Sequence, residues 1–110
     1  MKLMTKALEK KFAKFPLGSQ DGCGDEAVII AKFFDPSGPA TWLITEGEQM
    51  ENGDWDFFGC VDLGYGWEWG YVWLSQIQEV KGAFGLGMER DLYLPANITV
   101  GEYMRREGNA

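Results

Sequence analysis

Residues 54–75, "DWDFFGCVDLGYGWEWGYVWLS", constrain the fold more than any other stretch. Apolar and aromatic residues recur there with a period of two on both sides of Gly64-Tyr65-Gly66. That pattern is a β-hairpin, with predicted strands over 55–63 and 67–74. A three-residue loop places a left-handed residue last, and Gly66 takes that conformation without steric cost. The resulting register pairs Leu63 with Trp67, Val61 with Trp69, Gly59 with Tyr71 and Phe57 with Trp73. It gathers Trp55, Phe57, Trp67, Trp69, Tyr71 and Trp73 on one face. Asp56, Phe58, Cys60 and Asp62 then share the other face with Glu68, Gly70, Val72 and Leu74. A two-residue turn slips the pairing by one and sets Asp62 beside Trp67; it is set aside because it scatters the aromatics.

The remaining elements follow from local signals. Thr5 caps a helix running to about Lys14, with Met4, Leu8, Phe12 and Phe15 as its apolar stripe. Pro16 and Gly18 stop it, and a polar loop, "GSQDGCGDE", follows. "AVIIAKFF" (27–34) reads as a strand covered on both faces, and "ATWLITEG" (40–47) as its neighbour. Asn52-Gly53 marks the next hairpin turn. Ser75 and Gln78 form a capping box that predicts a short helix over 76–81, ending at Gly82. Thr99 and Glu102 repeat the box ahead of a final helix with Val100, Tyr103 and Met104 on its apolar side. The predicted fold is α+β over one domain, 1–110. It comprises a four-stranded antiparallel meander, an N-terminal helix, a short helix after the last strand and a C-terminal helix.

Charge and composition bound the chemistry. The chain has no histidine, which removes Ser-His-Asp and Cys-His catalysis within it and histidine-ligated zinc. Cys23 and Cys60 lie far apart and are expected as free thiols, with Cys60 in the core. Neither a metal nor a cofactor is implied. The net charge is −7, yet residues 1–14 carry five lysines against Glu9, a balance of +4, so the other 96 residues carry −11. No basic residue lies between Lys32 and Lys81, an interval with nine carboxylates. A body of that kind is poorly suited to a nucleic-acid backbone. No apolar run approaches a membrane span, and the basic N-terminal stretch lacks the core of a signal peptide; the expectation is a cytoplasmic chain. "GAFGLG" (82–87) is followed by no Gly-Lys-Ser/Thr and opens no helix, so it reads as a loop and not a phosphate cradle.

"MKLMTKALEKKF", "FFGCVDLG…WEWGYVWLSQIQ" and "GLGMERDLYLP" together resemble the bacterial family known as domain of unknown function 2958, over about residues 1–95. The resemblance implies a bacterial setting, often on plasmids, phages and integrative elements, and it implies no reaction. Trp67, Trp69 and Trp73 exceed the family's usual tryptophan content.

Three functions compete on these residues. The first is a non-enzymatic protein-interaction domain, with Trp67, Trp73 and Trp69 as anchors and Asp62 and Glu68 beside them. Its structural counterpart is that the stripe simply builds the core. A host-directed version has the carboxylates imitate DNA phosphates. The second is a small-molecule or carbohydrate module using tryptophan platforms. The third is a hydrolase using Asp62 and Glu68, which requires both acids at one cleft. Glu89, Arg90 and Asp91 are expected to form a polar clamp, Arg90 bridging carboxylates, that holds the C-terminal extended piece to the body. The oligomeric state is open at this level.

Overall fold

The computed structural model describes residues 1–107. Among the described residues five antiparallel strands form one sheet: β1 (Ala31–Phe34), β2 (Thr41–Gln49), β3 (Trp55–Asp62), β4 (Trp67–Trp73) and β5 (Glu89–Arg90). Their spatial order is β4-β3-β2-β1-β5. The four-stranded meander is therefore present and gains a fifth strand at the β1 edge, where Arg90 pairs with Phe33 and Glu89 with Phe34. Two residues are too few for periodicity to announce a strand. Three α-helices accompany the sheet: α1 (Lys6–Ala13), α2 (Leu74–Glu79) and α3 (Val100–Arg106). No helix among the described residues is long and apolar enough to cross a membrane.

The two long-range faces of the sheet carry separate cores. On one, Leu8 and Phe12 of α1 and Leu74 and Ile77 of α2 pack on Phe33, Ile44, Trp55 and Phe57. Phe12 lies 5.2 Å from Phe57 and 5.8 Å from Trp55, ring centre to ring centre. On the other, Val100 and Tyr103 of α3 pack with Ala27, Ile29 and Ile98 on Leu43 and Cys60. Thr5 and Thr99 cap α1 and α3 as their sequences predict, each hydroxyl accepting an amide three residues on.

Several boundaries move. The predicted strand over 27–34 shortens to Ala31–Phe34 because residues 27–29 leave the sheet to meet the segment before α3. The Ile29 amide donates to the Ile98 carbonyl at 2.9 Å, and the Val100 amide to the Ala27 carbonyl at 3.0 Å. α2 starts two residues early. The Gln76 side chain accepts from the Trp73 amide at 2.8 Å, while Ser75 is turned toward Asp54 instead of capping a helix.

A bulge at Thr45 shifts the β2–β3 register between Ile44 and Glu46. There β2 runs so close to β3 that a Cβ on Gly59 would overlap the Leu43 carbonyl oxygen. Glu46, next to the bulge, is buried. Its two oxygens accept the Gly18 amide at 2.7 Å and the Gln20 amide at 2.8 Å. Gln20 in turn donates to the Val28 and Thr45 carbonyls, both at 2.8 Å. Polar residues of a loop thus satisfy the backbone that a bulge frees.

The hairpin register is the main correction. Asp62 pairs with Trp67, Val61 with Glu68, Cys60 with Trp69, Phe58 with Tyr71 and Asp56 with Trp73. The loop is Leu63–Gly66, four residues, with positive φ at both Gly64 (111°) and Gly66 (109°). Asp62 Oδ1 accepts the Gly64 amide at 2.7 Å and the Gly66 amide at 3.1 Å. This side-chain turn keeps Asp62 in the strand and sets the pairing first set aside.

Candidate functional site

The corrected register divides the aromatics between two faces. Trp55 and Phe57 enter the core beneath α1 and α2. Trp67, Trp69, Tyr71 and Trp73 line the opposite face of β4, with Phe58, Asp56 and Asp62 of β3. α3 spans only Val100–Arg106 and covers one end of that face. Its Tyr103 meets Trp67 edge-on at 6.2 Å, and the Lys32 ammonium lies 5.0 Å from the Tyr103 ring centre. Beyond Tyr103 the row is uncovered: Trp69 is 40% exposed, Tyr71 70% and Trp73 48%.

Phe58 forms the floor of this row. Its ring stacks on Trp69 at 5.7 Å and leans on Tyr71 at 4.9 Å. These contacts hold the Trp69 and Tyr71 rings in place, which lowers the ordering cost of using them in binding. At the far end Asp56 stands between Trp73 of β4 and Glu48 of β2. One Asp56 oxygen, Oδ1, is shielded from solvent and accepts no hydrogen bond. β4 is also the edge of the sheet, so its outer backbone groups have no ladder partner.

The expected site residues therefore part company. Trp69 and Trp73 are exposed on the row, and Trp67 is half-buried under α3. Asp62 is engaged in the loop. Glu68 sits beside Val61, on the face away from Asp62, so the two carboxylates do not share a cleft. Glu68 instead lines an open cleft of about 580 Å³ with Trp42, Val61, Val72, Gln76 and Val80. Tyr71 stays in the row with the tryptophans as expected, while Phe58 and Asp56 join it unexpectedly. The signal that would have found them is Asp62 two residues before Gly64, an Asx-turn spacing that selects the longer loop.

Glu89, Arg90 and Asp91 are side by side without bonding one another. Arg90 donates from Nη1 to the carbonyls of Lys2 at 2.8 Å and Leu3 at 3.0 Å, in place of the expected carboxylates. Asp91 pairs with Lys32 at 3.6 Å and accepts the Tyr93 amide at 2.8 Å. At the foot of β4, Asp54 accepts the Ser75 hydroxyl at 2.6 Å and the Ser75 amide at 3.1 Å. The Ser75 hydroxyl, more than the backbone amides, holds the Asp54 carboxyl below its ordinary value. Burial pushes the Cys60 thiol up to about 11, helped by the negative charges of Asp25 and Asp62.

Comparison with curated proteins and with solved structures returns no match. The family model described as protein of unknown function (DUF2958) matches residues 3–110, and the chain belongs to that family.

Proposed function

We propose that the domain is a protein-binding module that presents the outer edge and the aromatic row of β4 to its partner. One observation carries this reading: Trp69, Tyr71 and Trp73 stand in a row, exposed, on a strand with a free edge. Aromatic side chains on a rigid support are the usual anchors of protein interfaces. A free strand edge accepts backbone hydrogen bonds from an extended partner, which a sugar cannot supply in ladder form. Natural edge strands are blunted by lysines, prolines or inward charges; β4 has no lysine or proline, and Glu68 is its one charge. The mobile-element setting implied by the resemblance makes a host factor the first place to look. In the DNA-mimic version the complex dissociates with salt and is displaced by duplex DNA. The test is recovery of partners from a host extract by the intact chain and by Tyr71→Ala and Trp73→Ala chains of matched thermal stability. Loss of the same partner in both variants supports the reading, and unchanged recovery in both refutes it.

A second reading rests on the cleft beside Glu68. Its volume of about 580 Å³ suits a small ligand, and Trp42 and Trp69 are among its walls. A tryptophan fluorescence titration against glycans and small aromatic compounds tests it; a flat response across the panel removes it.

A further inference from the structure

The charge around β4 narrows the class of partner, and this step rests on the protein-binding reading above. β2, β3 and β4 contain no lysine or arginine. On the face that carries the row, the ladder ends in Trp73, Asp56 and Glu48. Asp56 Oδ1 there is a shielded acceptor without a donor. Asp56 is half-buried and Glu48 exposed, so this end of the row carries two carboxylates and no cation from β2, β3 or β4. The rings of Trp69, Tyr71 and Trp73 offer negative faces to a cation, and the two carboxylates at the end of the row add to the same field.

We infer that β4 takes up an extended segment of another protein, bearing lysine or arginine at alternate positions, as a sixth strand of the sheet. Side chains alternate along a strand, so every second residue of the incoming segment lies on the face of the row. Its spacing matches that of Trp69, Tyr71 and Trp73, which also occupy alternate positions. A basic side chain at the Trp73 end comes within range of the carboxylates of half-buried Asp56 and exposed Glu48. Residues of the other alternation pass Glu68 at the mouth of the cleft. A second copy of this chain is the poorer occupant. Pairing β4 with itself brings two bodies of charge −7 together with no cation on either edge.

The experiment is a titration of the isotope-labelled full chain, followed by amide and indole NMR signals, with two synthetic peptides of about ten residues. One alternates lysine with threonine, and the other has glutamate in place of each lysine. The lysine peptide is expected to shift the amides of residues 67–73 and the indoles of Trp69 and Trp73. Its affinity is expected to fall about tenfold or more between about 0.05 and 0.5 M salt. Asp56→Asn and Glu48→Gln, each checked for unchanged melting, are expected to weaken it severalfold. Equal binding of the glutamate peptide overturns the charge assignment while leaving β4 as the docking edge. Shifts confined to residues away from β4, or no binding of the lysine peptide by a folded chain, overturn the strand-addition proposal. A β4-mediated dimer in sedimentation that the lysine peptide does not dissociate assigns the edge to a second copy and overturns it too. The protein-binding reading itself fails separately, through unchanged partner recovery by the Tyr71→Ala and Trp73→Ala chains.

Discussion

Tyr71→Ala separates a binding row from a structural one, because the two roles predict opposite results for folding and for binding. Tyr71 is 70% exposed, so about three-tenths of its side chain is covered. A tyrosine offers about 200 Å², which puts the covered area at about 60 Å². At about 25 cal/mol per Å² the burial is worth about 1.5 kcal/mol, an upper figure because unfolded chains already cover some surface. Its contact with Phe58 at 4.9 Å adds up to about 1 kcal/mol. The variant should lose about 1.5–2.5 kcal/mol and melt about 6–12 °C lower, with a cooperative transition intact. Phe57→Ala, at a fully buried ring, should cost about 3–5 kcal/mol. For binding, loss of a central aromatic anchor costs about 2 kcal/mol or more, roughly a thirtyfold weaker complex. Circular dichroism melting and titration of the lysine peptide read the two effects on one sample. If Tyr71→Ala abolishes the folding transition, the row is core and the exposure argument is wrong. If it melts as expected and binds with undiminished affinity, the row is not the docking face.

Glu46→Gln should destabilise the fold by about 2–3 kcal/mol in urea titration, since an amide keeps one acceptor oxygen where the Gly18 and Gln20 amides need two. Arg90→Ala should lower stability by about 1–2 kcal/mol and speed hydrogen exchange at residues 3–5, because it frees the carbonyls of Lys2 and Leu3. Asp54→Ala should cost about 1 kcal/mol near neutral pH. The Asp54 carboxyl lies below its ordinary 3.8 when folded, so its contribution is full above that pH and is lost as pH falls through the lowered value. Acid titrations of the parent and Asp54→Ala chains should therefore converge once the pH has fallen below that lowered value. Cys23 is exposed and Cys60 buried with its thiol at about 11, so iodoacetamide at pH 8 should modify Cys23 alone in the folded chain.

What could be read from sequence were features decided within a few residues. Thr5 and Thr99 cap helices through bonds to amides three positions on, and both were legible. β3 and β4 were legible from alternation, and β2 from its β-branched and aromatic residues. Register was not, because both candidate pairings leave an alternating pattern on each strand; the choice is made by the Asp62 carboxylate on the Gly64 and Gly66 amides. That single slip moved Trp69, Tyr71 and Trp73 away from the face of Trp55 and Phe57 to the opposite one and separated Asp62 from Glu68. The role of Asp54 at α2 spans 21 positions, and no window short enough to show periodicity contains both partners. The same holds for Arg90, whose partners lie 88 and 87 residues away.

That last distance bears on how the chain matures. The carbonyls of Lys2 and Leu3 and the open edge of β1 meet their partners only once residues 88–91 exist, and Val28 meets Thr99 later still. The β2–β4 hairpins are local and can pair before that point, with Trp69, Tyr71 and Trp73 already exposed and the outer β1 edge still unpaired. The domain should therefore close late, only once residues 88–99 have emerged, and the interval before closure is when chaperones have most to grasp.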